Sequence, residues 1–263
     1  MTYNTLRFSE HNGVAMITLS RPDKLNALNA ELHGELRAAL SACEGDEAVK
    51  VVVLTGEGRA FSSGQDLTED LPRDERGLID LGQPLARDYN PLILKLNAYP
   101  KITIAALNGP AVGASMNIAL ACDIALAASS AYLQEAFAKI ALIPDAGGTW
   151  ILPRLIGPKK ALALMLTGEI VSAQEAERLG LVHKVYPDAS FAEDVRTFAE
   201  ALATGPSFTY RLIKETLSKS LSNDLEAQLA LESKLQSQAG FSRDFIEGVT
   251  AFKEKRKPVF EGR

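Results

Sequence analysis

The run ITIAALNGPAVGASMNIALACDIALAA, residues 102–128, decides the fold class. Ile102 to Leu107 is a short apolar stretch that breaks at Asn108, Gly109 and Pro110. Small apolar residues then lead from Gly113 to the neighbourhood of Asp123, and Ile124 to Ala128 is apolar again. Short apolar runs bounded by turn residues read as strands, and the stretch between them reads as a helix. Strands alternating with helices pair mainly in parallel across crossovers. Such a sheet is covered on both faces, so its strands are apolar throughout, as these are.

The same order recurs upstream. VAMITLS (14–20) and VKVVVLTG (49–56) are strand-like, and between them Leu32, Leu36, Ala39, Leu40 and Cys43 recur at helical spacing behind Asn29, a plausible N-cap. Downstream of Pro158 the strand signals fade. SAQE (172–175) and SFAE (190–193) match the capping box that opens a helix, so the last third is predicted helical. The charged segment TEDLPRDERGLIDLGQ (68–83), punctuated by Pro72 and Gly77, reads as a mobile surface segment. At 263 residues the chain accommodates one α/β domain, with a core over 1–195 and a helical region over 196–263.

Composition narrows the function. Hydrophobic residues make up 46% and charged residues 23%, the balance of a packed globular protein. A net charge of -5 argues against nucleic acid as a partner, because that affinity comes from clustered Lys and Arg. Cys43 and Cys122 suggest no disulfide framework and fit a reducing cytoplasm. No leader-like or membrane-spanning run is seen, so the expectation is a cytoplasmic protein without membrane partners. His11, His33 and His183 stand apart from other ligand types and read as solvated or packed, no metal site is expected, and no serine-hydrolase elbow is present.

Three turns remain as candidates for chemistry. AFSSGQDL (60–67) and NGPAVGAS (108–115) each follow a strand, and the second opens a helix, where unpaired N–H groups and the dipole favour an anion. Their glycines also serve simply to turn the chain tightly. LIPDAGGTW (142–150) sets one carboxylate, Asp145, between an apolar run and a Gly-Gly turn. Desolvation there would raise its pKa and make it a proton shuttle; the alternative is an ordinary turn or N-cap aspartate. The basic run KEKRK (253–257) reads as a solvated helix end, with phosphate contact as the alternative.

These turns, in this order and together with RPDKLNALN (21–29), LTGEIVSAQEAERLGLV (166–182) and EGVTAFKEKRKPVF (247–260), resemble the enoyl-CoA hydratase/isomerase, or crotonase, family nearly end to end. The resemblance implies a spiral of β-β-α units with a C-terminal helical trimerisation region, a homotrimer or homohexamer, and an acyl-CoA thioester substrate with no separate cofactor. It places the thioester oxygen between the backbone N–H groups of Gln65 and Ala114. The family usually has glycine at the latter position, but the donor is main chain. It places the nucleotide end near Lys24, Asn26, Ala27, Leu28, Ser63 and Asp66, with Phe252 and Lys255 reaching from the C-terminal region, in a neighbouring subunit.

Hydratases of the family use two glutamates, and the matching positions here hold Asn117 and Phe137. Glu135, two residues away, carries little weight, because such a step does not restore the geometry that proton transfer needs. Asp145 stands where isomerases of the family keep an acid, so the expectation is an acyl-CoA isomerase with Asp145 as its proton shuttle. The run AFAKIALIPDAGGTWILPR (136–154) resembles the branch that isomerises ring-epoxide acyl-CoA esters. Phe137, Ile140 and Trp150 are expected in the core, or lining a pocket for a ring. A hydratase, an aryl-CoA dehalogenase and a non-catalytic acyl-CoA binding subunit stay open as alternatives.

Overall fold

In the computed structural model, which describes residues 2–263, the central element is a six-stranded sheet. Its order is β1 (Leu6–His11), β2 (Val14–Leu19), β3 (Val51–Gly56), β4 (Ile102–Leu107), β6 (Ile124–Ala128) and β9 (Lys184–Tyr186). Only the β1–β2 hairpin is antiparallel; every other neighbouring pair is parallel. All six residues of β4 are buried, as a strand covered on both faces requires.

The upstream crossover is the helix Ala30–Gly45, and Asn29 caps it by accepting a hydrogen bond from the Leu32 N–H at 2.9 Å. Leu32, Leu36, Ala39, Leu40 and Cys43 form its buried face. The stretch after β4 forms the short helix Ala114–Leu120, ending three residues before Asp123. A small second sheet was not legible beforehand: β5 (Ala111–Val112), β7 (Tyr132–Gln134) and β8 (Ile170–Ser172), with two or three residues each, are too short for a periodic pattern.

Helices occupy the remainder from Phe191 onward. Ser172 caps its helix through the Glu175 N–H, but Ser190 lies in helical backbone and caps nothing, so the second capping box does not form although its helix, Phe191–Ala203, does. The expected division after residue 195 falls inside that helix, whose Phe191, Val195 and Ala199 are buried. Segment 68–83 runs over the surface as mostly irregular chain that closes on itself through an Arg73–Ile79 bridge and enters a helical turn at Gly82, and it is pinned by Asp74, which accepts from the Arg76 and Leu78 N–H groups. No helix among the described residues is long and apolar enough to cross a membrane.

The loop after β2 is held in an unusual shape. Leu25 and Asn26 both have left-handed backbone (φ 51 and 55), and the fully buried Asn26 side chain stabilises this by accepting from the Arg21 N–H and donating to the Glu57 and Ala60 carbonyls. Asn26→Ala leaves the part-buried Arg21 N–H and Glu57 carbonyl unpaired, and leaves the Ala60 carbonyl with only a longer bond from Asn108 Nδ2 at 3.3 Å. Chemical denaturation is expected to show a loss of about 2–4 kcal/mol, roughly the sum of such unpaired groups.

Candidate active site

The site is built where β3 and β4 end. The chain leaving each strand turns toward the other, and the two turns pair: the Ser62 N–H donates to the Pro110 carbonyl at 3.1 Å, and the Val112 N–H donates to Ser62 O at 3.1 Å. Ser115 locks the pair, its hydroxyl donating to Ser62 O at 2.7 Å. Gly64 permits the approach, since it lies at φ 90 and a Cβ there would sit 2.8 Å from the Val112 carbonyl oxygen. Two N–H groups emerge with no acceptor among the described residues, those of Gln65 and of Ala114, the latter on the first turn of its helix.

Between them opens a cavity of about 260 Å³, lined mostly by apolar side chains and by Gln65, Ala114 and Asp145. Its volume suits an acyl group rather than a whole nucleotide. Phe137 is buried in its wall, Ile140 is a partly exposed lining residue, and Leu67 with Leu71 and Leu81 of the surface segment lines it as well. Trp150 corrects the sequence reading: it is 52% exposed, stacks under the Arg154 guanidinium at 3.9 Å, and belongs neither to the pocket nor to the core. A larger cleft of about 470 Å³ near Lys50, Lys101 and Arg263 lies apart and mixes charges of both signs.

Asp145 is the carboxylate facing this cavity. Burial pushes its pKa up from 3.8 to about 6, and its Oδ1 has no partner among the described residues. Its peptide carbonyl accepts from Asn117 Nδ2 at 3.0 Å, so the turn bearing the acid is tied to the helix bearing the Ala114 N–H. Tyr89 was missed as a site residue. Its ring lines the cavity, its hydroxyl donates to Gln65 Oε1 at 2.5 Å, and His33 packs edge-on to it at 4.2 Å. Burial lowers the His33 pKa to about 4, which keeps this histidine neutral near pH 7.

Glu135 was given little weight, yet it is 1% exposed and neither carboxyl oxygen has a partner. Burial pushes its pKa to about 8; the Asn117 amide opposes that shift and the Asp145 charge adds to it. Its one legible signal was a lone acid between β7 and an apolar run.

The candidate nucleotide contacts divide into two groups. Lys24, Asn26, Ala27 and Leu28 lie beside Ser63 and Asp66, because the Ser63 N–H donates to Leu25 O, the Leu28 N–H to Gly64 O and the Asp66 N–H to Leu28 O. Within that group the Asn26 and Asp66 side chains are already engaged. Asp66 accepts from Thr68 at 2.6 Å and from Arg21 at 2.8 Å, bonds that hold its pKa down at about 2. Phe252 and Lys255 are exposed on the C-terminal helix Arg243–Glu254 and its cap, and neither lines this cavity in its own chain.

The sequence model of the enoyl-CoA hydratase/isomerase family matches residues 9–263. The chain belongs to that family. A relative from Rhodobacter capsulatus, named a probable enoyl-CoA hydratase, is 46% identical over the full length of both chains. The 1,2-epoxyphenylacetyl-CoA isomerase of Escherichia coli is 43% identical over 95% of this chain and 96% of that one. Among solved structures, the enoyl-CoA hydratase of Bacillus anthracis superposes with a TM-score of 0.89 at 35% identity, covering 99% of this chain and 100% of that one. The fold is therefore the crotonase fold, and members of this family act on acyl-CoA thioesters.

Two outcomes are expected. Gly64→Ala forces a Cβ against Val112 O and displaces the unpaired Gln65 N–H, so kcat on an enoyl-CoA ester is expected to fall by about 10²–10³-fold, the size of loss that removing one N–H donor from a reacting oxygen brings in enzymes generally. The folded state holds the Asp145 proton more tightly than the unfolded chain does. The associated stability is thus full below pH 3.8 and lost as pH rises through about 6. Asp145→Asn removes that loss, so its melting temperature relative to the parent is expected to climb between those two pH values.

Proposed function

We propose that this protein is an acyl-CoA isomerase, converting ring-1,2-epoxyphenylacetyl-CoA to the seven-membered oxepin-CoA and also shifting 3-enoyl-CoA to 2-enoyl-CoA. One observation carries the reading: Asp145 is the acid that lines the cavity, while Asn117 and Phe137 occupy the two positions where hydratases of the family keep glutamates. The likeness to the Escherichia coli isomerase supports it.

The thioester oxygen lies between the Gln65 and Ala114 N–H groups, which withdraw electron density and acidify the carbon α to the carbonyl. Asp145 takes a proton from that region, the C–H pair moves into the conjugated system toward the carbonyl oxygen, and the resulting enolate is held by the two donors. Return of a proton from Asp145, after exchange with solvent, at another carbon completes the double-bond shift; for the ring epoxide, the C–C bond between the two epoxide carbons also opens and its electrons enter the double bonds of the seven-membered ring, so no metal, redox group or other cofactor enters the scheme. One such donor contributes about 3 kcal/mol and a placed base about two to four orders of magnitude in rate. With a pKa of about 6, Asp145 is ionised near neutrality yet basic enough to pull.

Nucleotide contacts fall to Lys24, Asn26, Ala27, Leu28, Ser63 and Asp66, with the backbone serving where the side chains are engaged. Phe252 and Lys255 serve a neighbouring protomer. Exposed apolar residues on the C-terminal helices, among them Leu217, Leu221, Phe245 and Phe252, support self-association as a trimer or a dimer of trimers.

The second reading is an enoyl-CoA hydratase, favoured by the name of the Rhodobacter relative and by the acid at Glu135. NMR in deuterated water separates the two readings. With 3-hexenoyl-CoA, double-bond migration with deuterium uptake is expected; with crotonyl-CoA, no hydration is expected. Asp145→Asn should bind acyl-CoA and lose turnover by about 10²–10⁴-fold. Rapid hydration of crotonyl-CoA, or an unaffected Asp145→Asn variant, defeats the isomerase reading, and binding without turnover of any ester leaves a non-catalytic subunit.

A further inference from the structure

Next to the Asp145 turn, among residues that do not line the cavity, lies a buried group of oxygens with too few donors. Asn117 is fully buried, and its Nδ2 spends one hydrogen on the Asp145 carbonyl at 3.0 Å; its Oδ1 is unpaired. That bond also settles the orientation of the amide, because the reverse would set two oxygens against each other. Both oxygens of Glu135 and the Oδ1 of Asp145 are buried and unpaired as well. The two Glu135 oxygens therefore have only the spare Asn117 N–H hydrogen beside them, and buried polar groups in such a state are costly.

Glu135 is no ordinary turn residue. It precedes the 3-10 turn Ala136–Ile140 without capping it, and it makes no ion pair. Room for Asn117 beside it depends on Gly148, where a Cβ would lie 2.3 Å from the carboxamide nitrogen.

We propose, building on the isomerase reading, that Glu135 is a positioning acid: in its protonated form it donates an O–H to Asn117 Oδ1 and so fixes the amide that anchors the Asp145 turn. Glu135 keeps its proton through the reaction, and the proton that moves is the one passed between substrate and Asp145. Loss of the Glu135 proton makes it a charged acceptor, which draws a hydrogen bond more strongly than a peptide carbonyl does. The O–H bond to Asn117 Oδ1 is then lost, the amide is pulled toward the charged Glu135 through its spare Nδ2 hydrogen, and its bond to the Asp145 carbonyl weakens, so the base is held less firmly. The pKa of about 8 puts this change just above neutrality.

The charge that reaches Glu135 is that of Asp145. Of the elements around it, Ala114–Leu120 carries no charged residue, and Gly148–Ile156 carries only Arg154, stacked on Trp150. Lys139 on its own turn is exposed, and Lys160 and Glu169 form an exposed pair near Gly168.

The test is the pH dependence of kcat for 3-hexenoyl-CoA in the parent, Glu135→Gln and Glu135→Met. The parent is expected to fall about tenfold for each pH unit above 8, as a single ionisation requires. Glu135→Gln, whose amide donates permanently, should lose that descending limb, and so should Glu135→Met, with kcat below that of Glu135→Gln at every pH. Either variant, if it folds, decides the matter, and a descending limb unchanged in it overturns the proposal. A readout independent of turnover is the infrared C=O band of a protonated carboxyl. It should be present at pH 7, vanish as pH rises through about 8, and be missing in Glu135→Gln. Its absence from the parent at pH 7 overturns the proposal, whereas a persisting band in a protein that turns over no enoyl-CoA ester overturns only the isomerase reading.

Discussion

The pairing of the two turns that follow β3 and β4 is the constraint on which the site depends. Ser62 gives its N–H to Pro110 and takes that of Val112, so turns separated by about fifty residues in sequence lie side by side at the strand ends. Parallel register between β3 and β4 brings the two chain exits level, and Gly64 lets the backbones approach. From that contact follow the two unpaired N–H groups, the cavity between them, and the position of the helix whose Asn117 holds Asp145.

Electrostatics in the site follow from dryness more than from charge pairing. Asp145 and Glu135 have no basic partner, and burial raises both; at Asp66, by contrast, Thr68 and Arg21 lower the pKa of an acid that burial alone would raise. Two acids held at different levels, about 6 and about 8, give the site one ionised and one protonated carboxyl near neutrality. His33 obeys the same rule with the opposite sign, since burial disfavours its cation.

Tertiary packing also assigns the engaged side chains. The Asn26 side chain is used up in stabilising left-handed backbone, and that of Asp66 is used up on Arg21 and Thr68, so what this loop presents outward is chiefly its backbone and the exposed Lys24. The surface segment 68–83, charged in sequence, contributes Leu71 and Leu81 to the cavity because irregular chain can turn isolated apolar side chains inward without any periodic pattern.

What the sequence by itself determined was the local and the patterned: the apolar strands, the helix behind Asn29, the mainly parallel order, and the family motifs that singled out Asp145, Gln65 and Ala114. Periodicity and turn chemistry are properties of neighbouring residues, and they survive without coordinates. Only the tertiary structure decided that Trp150 faces solvent, that Ser190 does not cap its helix, that Tyr89 reaches Gln65, and that Glu135 lies beside Asn117 and within reach of the Asp145 charge. Each of these depends on which distant segment lies against the residue. A pKa or an unpaired oxygen is set by that surrounding rather than by the residue's neighbours in the chain.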